Sequence, residues 1–573
     1  MKKLFIGFLL LIGFSLACHS PKKTVVESLN INPFQFSVQK KVICGNGAVV
    51  SAHPLASKVG VEILKQGGNS IDAAIATQLA LAVVYPNAGN IGGGGFMVAR
   101  LSKGKLLALD YRETAPLHAD RDMYLDEKGN VETGKSVNGH FASGVPGTIA
   151  GLFSSAKYGK LSFDKLIQPA IDLAEKGFAL TDREAASFNS IQNDLKQYNT
   201  VMPVFVKETG WKAGDTLVQV ELANTLKRIR DEGEKGFYEG ETARLIVEEM
   251  KRGGGIITPQ DLKNYKAKFR EPHVFDYKGY RIVGMPMPSS GGILVHQMMK
   301  MIEDKNVSTM GFQTPASVQL MAEVERRAFA DRAEYMGDAD FYKVPEKMLV
   351  SDEYLKQRMK DYVAGIAGDS KRIQPGDLPK ESEETTHLSV IDKDGNAVAV
   401  TTTLNNSYGN KTVVAGAGFF LNDEMDDFSA KPGVPNLYGA VGGEANAIAP
   451  GKRMLSSMTP TVVLKNDKPY LVVGTPGGTT IPTSVFQTLV NVLEFNMSTE
   501  DAVYKPKFHH QWLPDTLDIE KGFDENAREA LEKMGYKTKQ RDGIGRTEAI
   551  KVLNDGKFEA VGDIRGDDDA EGY

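Results

Sequence analysis

Hydrophobic residues recur at helical spacing in four segments of the chain. These segments are 54–69, 70–86, 162–177 and 314–337. The second is apolar on almost every side, which predicts a buried helix, and the first ends near Gly67. Ser162 and Gly177 bound the third segment, while Thr314 and Gly337 bound the fourth. Caps and stops of these residue types are typical of helix ends.

A second pattern, β-prone runs separated by short turns, predicts strand pairs. It occurs at 92–113, 388–400, 461–474 and 550–561. The turns contain Ser-Lys-Gly-Lys, Asp-Lys-Asp-Gly-Asn and Asn-Asp-Gly, which favour hairpins. Helical stretches follow near 481–495 and 498–505. Two antiparallel sheets stacked face to face with helices outside would bury all of these faces, so the predicted fold class is α+β.

The N-terminus has the pattern of an export signal. Lys2 and Lys3 precede an apolar run that ends at Ala17, too short for a membrane-spanning helix. The signal is predicted to cover residues 1–18 and ends in Ser-Leu-Ala-Cys, so Cys18 is favoured as a lipid-modified cysteine of a bacterial lipoprotein. The alternative is a plain secretory signal cut near Ala17. We expect a periplasmic or outward-facing, membrane-anchored protein.

Composition narrows the classes of function. Of the 573 residues, 41% are hydrophobic and 25% charged, as in a globular protein, and the formal net charge is −5. No basic stripe with interleaved aromatic residues is present, so no nucleic-acid partner is expected. After a polar tether at 19–45, the only cysteine besides Cys18 is Cys44, for which we expect a buried, inert thiol.

Thr385 stands where a polar loop changes into a strand. Glu381, Glu383 and Glu384 belong to a Pro- and Gly-containing stretch, and β-prone residues begin directly afterwards. Threonine becomes an effective nucleophile when a base takes its proton, and cleavage before it would supply its own α-amine as that base. The alternative from the residues alone is an ordinary strand threonine.

Several motifs, in order, decide between these alternatives. They are NAGNIGGGGFM (87–97), YRETAP (111–116), ASGVPGTIAG (142–151), MPMPSSGG (285–292), TTHLSVIDKDGNAVAVTTTLN (385–405), NDEMDDFSAKPGVPNLYGAVGG (422–443), KRMLSSMTPT (452–461), GTPGG (474–478) and FHHQWLPD (508–515). Together they resemble the γ-glutamyltranspeptidase family from about Gly45 to Tyr573. That family belongs to the N-terminal-nucleophile hydrolases, which have a four-layer αββα sandwich.

The resemblance implies that the chain is an inactive precursor that cuts itself between Glu384 and Thr385. Residues 46–384 would form the large subunit and 385–573 the small subunit of one intertwined heterodimer. The implied activity is γ-glutamyl transfer from glutathione and other γ-glutamyl compounds to water, amino acids or dipeptides. No cofactor is implied.

The same resemblance implies a site for the α-amino acid end of the substrate. Arg112 would grip the α-carboxylate, because a planar, two-pronged cation matches it, and Ser456 and Ser457 would add hydroxyl donors. Glu424 and Asp427 would hold the α-ammonium group. The family has either Gln or Glu at the position of Glu424.

The implied catalytic residues lie around the nucleophile. Thr403 would hydrogen-bond Thr385 and assist its activation, and Asn405 would contact the substrate near its α-amine. Gly477 and Gly478 would offer backbone N–H groups to the oxyanion. Losing one such donor typically costs about 3 kcal/mol of transition-state stabilisation.

Residues 431–443 resemble the family's lid loop, with Tyr438 as a gate that bonds toward Asn405. Its presence favours γ-glutamyl selectivity, since family members without the lid accept bulkier acyl groups. His509 and His510 lack partners at metal-ligand spacing, so no metal is expected. Two alternatives remain: a cephalosporin or glutaryl acylase of the same superfamily, and an uncleaved surface-anchored binding lipoprotein.

Overall fold

A computed structural model describes residue 29 and the ranges 31–132, 134–373, 385–431 and 443–573. The predicted signal peptide with Cys18, the cleavage residue Glu384 and the lid residue Tyr438 lie outside these residues. Nothing below concerns their structure.

Nineteen strands form within the described ranges. They are β1 (Lys41–Cys44), β2 (Gly47–Ser51), β3 (Gly94–Arg100), β4 (Leu106–Asp110), β5 (Phe178–Ala179), β6 (Thr216–Leu217), β7 (Lys268–Arg270), β8 (His273–Tyr277), β9 (Tyr280–Gly284), β10 (Thr386–Asp392), β11 (Ala397–Thr403), β12 (Thr461–Lys465), β13 (Lys468–Gly474), β14 (Phe508–His509), β15 (Leu517–Glu520), β16 (Thr538–Arg541), β17 (Glu548–Val552), β18 (Phe558–Val561) and β19 (Asp569–Gly572).

Fourteen of these strands build two seven-stranded sheets. The first sheet has the order β19-β2-β10-β11-β3-β4-β7, and the second has the order β1-β18-β17-β13-β12-β9-β8. Neighbouring strands within both sheets are antiparallel. The remaining strands form the small sheets β14-β15-β16 and β5-β6.

The same ranges contain eighteen α-helices. They are α1 (Pro54–Lys65), α2 (Ser70–Val84), α3 (Thr148–Ala156), α4 (Phe163–Lys176), α5 (Asp182–Ser190), α6 (Gln192–Tyr198), α7 (Val220–Glu232), α8 (Lys235–Tyr238), α9 (Gly240–Gly253), α10 (Pro259–Asn264), α11 (Gly291–Ile302), α12 (Val307–Met310), α13 (Pro315–Tyr335), α14 (Glu346–Leu349), α15 (Asp352–Arg358), α16 (Thr480–Leu493), α17 (Thr499–Tyr504) and α18 (Glu525–Lys533).

The two sheets stack face to face, and helices cover their outer faces. Side chains alternate along each strand, so Ala399 of β11 lies in the core between the sheets while Val398 faces the helices of the first sheet. In β12, Val462 faces the inner core and Val463 packs with α11, α13 and α16. This arrangement is the four-layer αββα sandwich, which confirms the predicted fold class.

The helices and hairpins predicted from periodicity are present. Every residue of α2 is buried, as its uniform apolarity predicted. Thr314 caps α13 by accepting a hydrogen bond from the N–H of Ser317, and Gly177 follows the end of α4. Ser162 occupies the N-cap position of α4, although its side chain makes no capping hydrogen bond. The hairpins β10–β11, β12–β13 and β17–β18 all form.

The tether predicted for residues 19–45 is too long at its C-terminal end. Residues 41–44 form β1, an edge strand paired with β18, and the N–H of Ala570 donates to the carbonyl of Gln39 at 2.7 Å. Four residues are too few to show a strand periodicity, and the pairing partner lies more than 500 residues away. Cys44 is buried as a free thiol, as expected.

Strands from both sides of the predicted cleavage point share each sheet. β10 and β11 lie between β2 and β3 in the first sheet, and β12 pairs with β9 in the second. Within the described ranges, no helix combines the length and apolarity needed to cross a membrane.

Candidate active site

Thr385 lies directly before β10, one of the central strands of the first sheet. It is buried, and its neighbour Thr386 pairs with Thr402 of β11. Leu388 pairs with Ser51 of β2 on the other side. Because β10 is hydrogen-bonded along both edges, Thr385, which directly precedes it, has a defined position at this end of the sheet.

Thr403, the last residue of β11, lies at the same end of the sheet. Its hydroxyl accepts a hydrogen bond from the N–H of Asn405 at 2.7 Å. Across the strand pair it faces Gly94 of β3, where an added Cβ would lie only 2.6 Å from Oε2 of Glu113. Close packing at a glycine therefore brings the end of β11 against the segment that follows β4.

That segment carries Arg112, whose guanidinium group is buried among acids. Its Nη1 pairs with Glu424, its Nη2 pairs with Asp427, and Glu113 Oε2 lies 3.5 Å from Nη1. We call these four residues the acid–arginine cluster. One cation faces three carboxyl groups, so the cluster has room electrostatically for a second positive charge, such as an α-ammonium group.

Burial controls protonation in the acid–arginine cluster. Loss of water raises the pKa of Glu424 well above its usual range, and Arg112 only partly opposes this shift. The same cause raises the pKa of Glu113 to about 8. Burial disfavours the charge of Arg112, yet Glu424 and Asp427 more than compensate and raise its pKa. The cluster therefore holds protons near neutral pH, and a bound ammonium would favour their release.

Glu113 is one residue of the site that sequence reasoning missed. Its side chain is fully buried, and among the described residues neither carboxylate oxygen has a hydrogen-bond partner. Burying such a group costs free energy, so its retention needs a reason. The sequence did offer a signal for Glu113, since it is a carboxylate next to Arg112 just after a buried strand. Only the fold shows that both side chains point into the interior.

Asn405 connects the end of β11 to the acidic turn Glu424–Asp427. It adopts a φ of +77°, and its Nδ2 donates to the carbonyl of Asp423 at 3.0 Å. The N–H of Asn406 donates to Asp423 Oδ1 at 2.9 Å. Asp423, which was also not predicted, is fully buried, and burial raises its pKa to about 6. These bonds position the acidic turn relative to Thr403.

Ser456 and Ser457 are buried in the loop before β12. The N–H of Ser456 donates to the carbonyl of Pro288 at 2.9 Å, and Ser290 N–H donates to the carbonyl of Ser456 at 2.8 Å. The preceding carbonyl, that of Leu455, lies 3.4 Å from Nη2 of Arg112. The serine pair is thus adjacent to the acid–arginine cluster.

Gly477 and Gly478 form the turn between β13 and α16. Their φ angles are +132° and +54°, a conformation that side chains with a Cβ rarely adopt. A Cβ on Gly474, the last residue of β13, would clash with the ring of His387 in β10, so this turn lies over the start of β10. Among the described residues, no acceptor is paired with the N–H groups of Gly477 and Gly478.

Two predicted residues fall outside the described ranges. Glu384, on the proposed cleavage bond, and Tyr438, in the proposed lid, have no described position. The described lid ends lie at Lys431, which donates to the carbonyl of Gly129 at 2.8 Å, and at Gly443, which donates to that of Ala333 at 3.2 Å. The described residues contain no group of three or more His, Cys, Asp or Glu that could hold a metal ion.

Comparison with known proteins agrees with the motifs. The model of the γ-glutamyltranspeptidase family matches residues 56–573. The chain belongs to the γ-glutamyltranspeptidase family. This match spans Thr385 and β10, the acid–arginine cluster and the Gly477–Gly478 turn.

One relative in this family is the glutathione hydrolase proenzyme of Escherichia coli K12. It is 46% identical over 553 residues, which cover 94% of each chain. The structure of Helicobacter pylori γ-glutamyltranspeptidase matches with a TM-score of 0.56 and 42% identity, covering 60% of this chain and 97% of that one. The structure of a cephalosporin acylase from Bacillus halodurans gives a TM-score of 0.81 at 26% identity, covering 95% and 99%.

These neighbours confirm the N-terminal-nucleophile sandwich and the family. Glutathione hydrolase relatives are more similar in sequence than the acylase structure, although the acylase shares the fold along nearly the whole chain. The roles assigned to individual residues stay predictions, and the structure gives the positions of those that it describes.

Proposed function

We propose that this protein is a self-processing γ-glutamyltransferase and glutathione hydrolase with Thr385 as its nucleophile. The observation that carries the proposal is the short path from Thr385 to the acid–arginine cluster. Thr403 is on the strand beside Thr385, and its partner Gly94 touches Glu113 of the cluster. This path supports a nucleophile at Thr385 beside charged side chains that are suited to an α-amino acid group.

Processing creates the active nucleophile. The hydroxyl of Thr385 attacks the carbonyl of Glu384, and water hydrolyses the resulting ester. The freed α-amine of Thr385 has an ordinary pKa of about 7.7–8.0, so a neutral fraction is present near neutral pH to accept the hydroxyl proton. Thr403, already held by the N–H of Asn405, then orients the nucleophile.

Substrate binding uses the acid–arginine cluster. The α-carboxylate of the γ-glutamyl group pairs with the guanidinium group of Arg112, assisted by Ser456 and Ser457. Its α-ammonium is held by Glu424 and Asp427. This anchoring at one end positions the γ-amide carbon for attack by Thr385.

Acyl transfer then proceeds in two steps. The Thr385 oxygen bonds to the γ-carbonyl carbon, the C–N bond breaks, and the proton passes to the departing amine. Gly477 and Gly478 donate backbone N–H groups to the oxyanion in both tetrahedral intermediates. Water or an amine resolves the ester, giving hydrolysis or transfer.

Glutathione is the proposed substrate, and amino acids or dipeptides are the proposed acceptors. The sequence of residues 1–18 further supports export, with lipid attached at Cys18 and the enzyme facing outward from the cytoplasm. Labelling with a radioactive fatty acid would test the anchor, since a Cys18→Ser variant should lose the label.

The test of the main proposal combines processing with activity. N-terminal sequencing of the smaller fragment should begin at Thr385, and the same sample should release γ-glutamyl groups from γ-glutamyl-p-nitroanilide. A single full-length mature chain without activity would instead support the uncleaved binding lipoprotein.

A cephalosporin or glutaryl acylase is the second candidate, because the Bacillus halodurans acylase shares the fold. The buried acids that face Arg112 argue against it, since a glutaryl group has no α-ammonium. Faster turnover of glutaryl amides than of γ-glutamyl amides would establish this alternative.

A further inference from the structure

The backbone of Arg112 lies just beyond the strand pairing of the first sheet. β4 ends at Asp110, and Tyr111 still exchanges backbone hydrogen bonds with Gly95 of β3. At Arg112 both the N–H and the carbonyl are bonded to side chains. A side chain that must meet a substrate at a fixed place needs this kind of support from the residues around it.

Asp110 holds the N–H of Arg112. Its Oδ1 accepts this N–H at 3.0 Å, and its Oδ2 accepts a hydrogen bond from Nε of Arg270 in β7 at 2.7 Å. The Asp110 side chain is fully buried, so these bonds are shielded from water and stronger than exposed ones. The carboxylate is therefore fixed between a neighbouring strand and the backbone of Arg112.

Tyr265, which follows α10, holds the carbonyl of the same residue. Its buried hydroxyl donates to the carbonyl of Arg112 at 2.7 Å. A Cβ on Gly147 would lie only 2.1 Å from this hydroxyl oxygen, so the hydroxyl occupies a space that only a glycine leaves open. Both backbone polar groups of Arg112 are thus bonded to buried side chains, and these come from two different segments of the chain.

Arg453 connects these contacts to the loop that carries the serine pair. Its Nε lies 3.2 Å from Asp110 Oδ1, and its guanidinium carbon lies 5.8 Å from the centre of the Tyr265 ring. Its own N–H donates to Asp338 Oδ2 at 2.9 Å. Because Ser456 follows three residues later, the contacts of Arg453 also fix the start of the serine loop. We call Asp110, Tyr265 and Arg453 the carboxylate anchor.

We propose that the carboxylate anchor is a set of positioning residues that determines the selectivity of the enzyme for a substrate α-carboxylate. It holds Arg112 and the Ser456–Ser457 loop in one relative position, so that guanidinium and hydroxyl donors converge on the same carboxylate. The anchor acts through these groups and does not itself touch the substrate. This inference rests on the proposed binding role of Arg112.

Two donors that differ only in the α-carboxylate test this inference. γ-Glutamyl-p-nitroanilide carries the carboxylate, whereas γ-aminobutyryl-p-nitroanilide has the same amine and the same scissile amide without it. The wild-type enzyme should prefer the first by about 10- to 100-fold in kcat/KM, as expected for charge-assisted contacts to one carboxylate. Tyr265→Phe should lower that preference about fivefold, mainly by raising KM for the γ-glutamyl donor, because Arg112 loses one neutral hydrogen bond that fixes it.

A second variant and a matched control accompany Tyr265→Phe. Asp110→Asn should lower the preference about 10-fold, because it weakens the contacts to the N–H of Arg112 and to Arg453 together. Tyr277→Phe removes another buried tyrosine hydroxyl, which donates to Glu494 from β8, and should keep the wild-type preference. A loss of folded protein lowers kcat/KM for both donors equally, so the preference reports on positioning and not on stability.

The possible outcomes separate the two proposals. A wild-type enzyme that releases no p-nitroaniline from either donor would refute the proposed function itself. An active enzyme that uses both donors equally would refute the carboxylate-binding role of Arg112, and the carboxylate anchor with it. If Tyr265→Phe and Asp110→Asn both keep the wild-type preference, only the carboxylate anchor is refuted. Because the preference is a ratio, it can be measured even for a variant that folds in low yield.

Discussion

Two regions of the molecule use arginine in different arrangements: the acid–arginine cluster, and the cleft beside Gly477 that is lined by Arg541, Arg546 and Arg565. In the cluster, Arg112 is buried with Glu424 and Asp427 paired directly to its guanidinium group. In the cleft, three arginines line the cavity while acids such as Asp568 and Glu520 are outside its lining. The two regions therefore differ in where the acids lie relative to the arginines that line them.

The comparison also shows how burial changes the pKa of an acid. Within the cluster, desolvation raises the pKa of Glu113 and Glu424, so part of the negative charge appears only when a cation binds. A region built this way selects an ammonium partner by its charge. A region lined by permanently charged guanidinium groups selects an anion at any physiological pH.

The largest effect is expected from removing the hydroxyl of the proposed nucleophile, Thr385. Thr385→Ala should leave a single chain and abolish γ-glutamyl release, because both self-cleavage and acyl transfer need the same hydroxyl. Gel electrophoresis and the p-nitroanilide assay measure the two effects. If the variant still splits between residues 384 and 385, this account of processing is wrong; Thr386→Ala is the matched control.

Loss of the central cation should have the next largest effect. Arg112→Gln should lower kcat/KM for γ-glutamyl-p-nitroanilide by about 100-fold or more, because it removes the carboxylate partner and leaves buried acids together. It should also destabilise the fold by about 3 kcal/mol, the cost of breaking a buried ion pair. Steady-state kinetics measure the change in kcat/KM, and thermal unfolding measures the change in stability. Arg244→Gln, on the exposed face of α9, should change neither.

The two ammonium-binding acids should differ in sensitivity. Burial raises the pKa of Glu424 well above its usual range and so favours the neutral acid, which Gln resembles; Glu424→Gln should therefore raise KM less than tenfold. Asp427→Asn should raise KM about 10- to 100-fold by removing a charged contact. Steady-state kinetics of both variants measure the two changes in KM, and equal changes would contradict the expected difference.

The last expected effect concerns stability and not activity: a pH dependence that originates from Glu113. Its folded pKa of about 8 exceeds the ordinary value of 4.5, so between these pH values the folded state binds a proton that the unfolded state has lost. The free energy of unfolding therefore falls as pH rises from 4.5 to 8, with a slope of at most about 1.4 kcal/mol per pH unit.

Denaturant unfolding of Glu113→Gln at several pH values tests this sign. The variant has no proton to lose, so its stability relative to the wild type should increase toward pH 8. A difference that stays constant with pH would show that Glu113 is not protonated in the folded protein.

Local sequence patterns were sufficient to predict most helices and strands near the site. Periodicity predicted α2 and α13, and turn residues predicted the hairpin β10–β11 that places Thr385 at a strand start. These predictions succeed because helix and strand periods are properties of neighbouring residues. β1 was missed, since four residues acquire strand geometry only through pairing with β18.

The sequence by itself determined the family, the sandwich class and the place of Thr385 at the junction of loop and strand. Only the tertiary structure decided that Arg112 meets Asp427, 315 residues later, that Glu113 is buried unpaired by hydrogen bonds among the described residues, and that Arg541 shares a cleft with Gly477. The physical reason is that such contacts depend on how two sheets stack and which strand ends coincide. No periodicity of neighbouring residues encodes that arrangement.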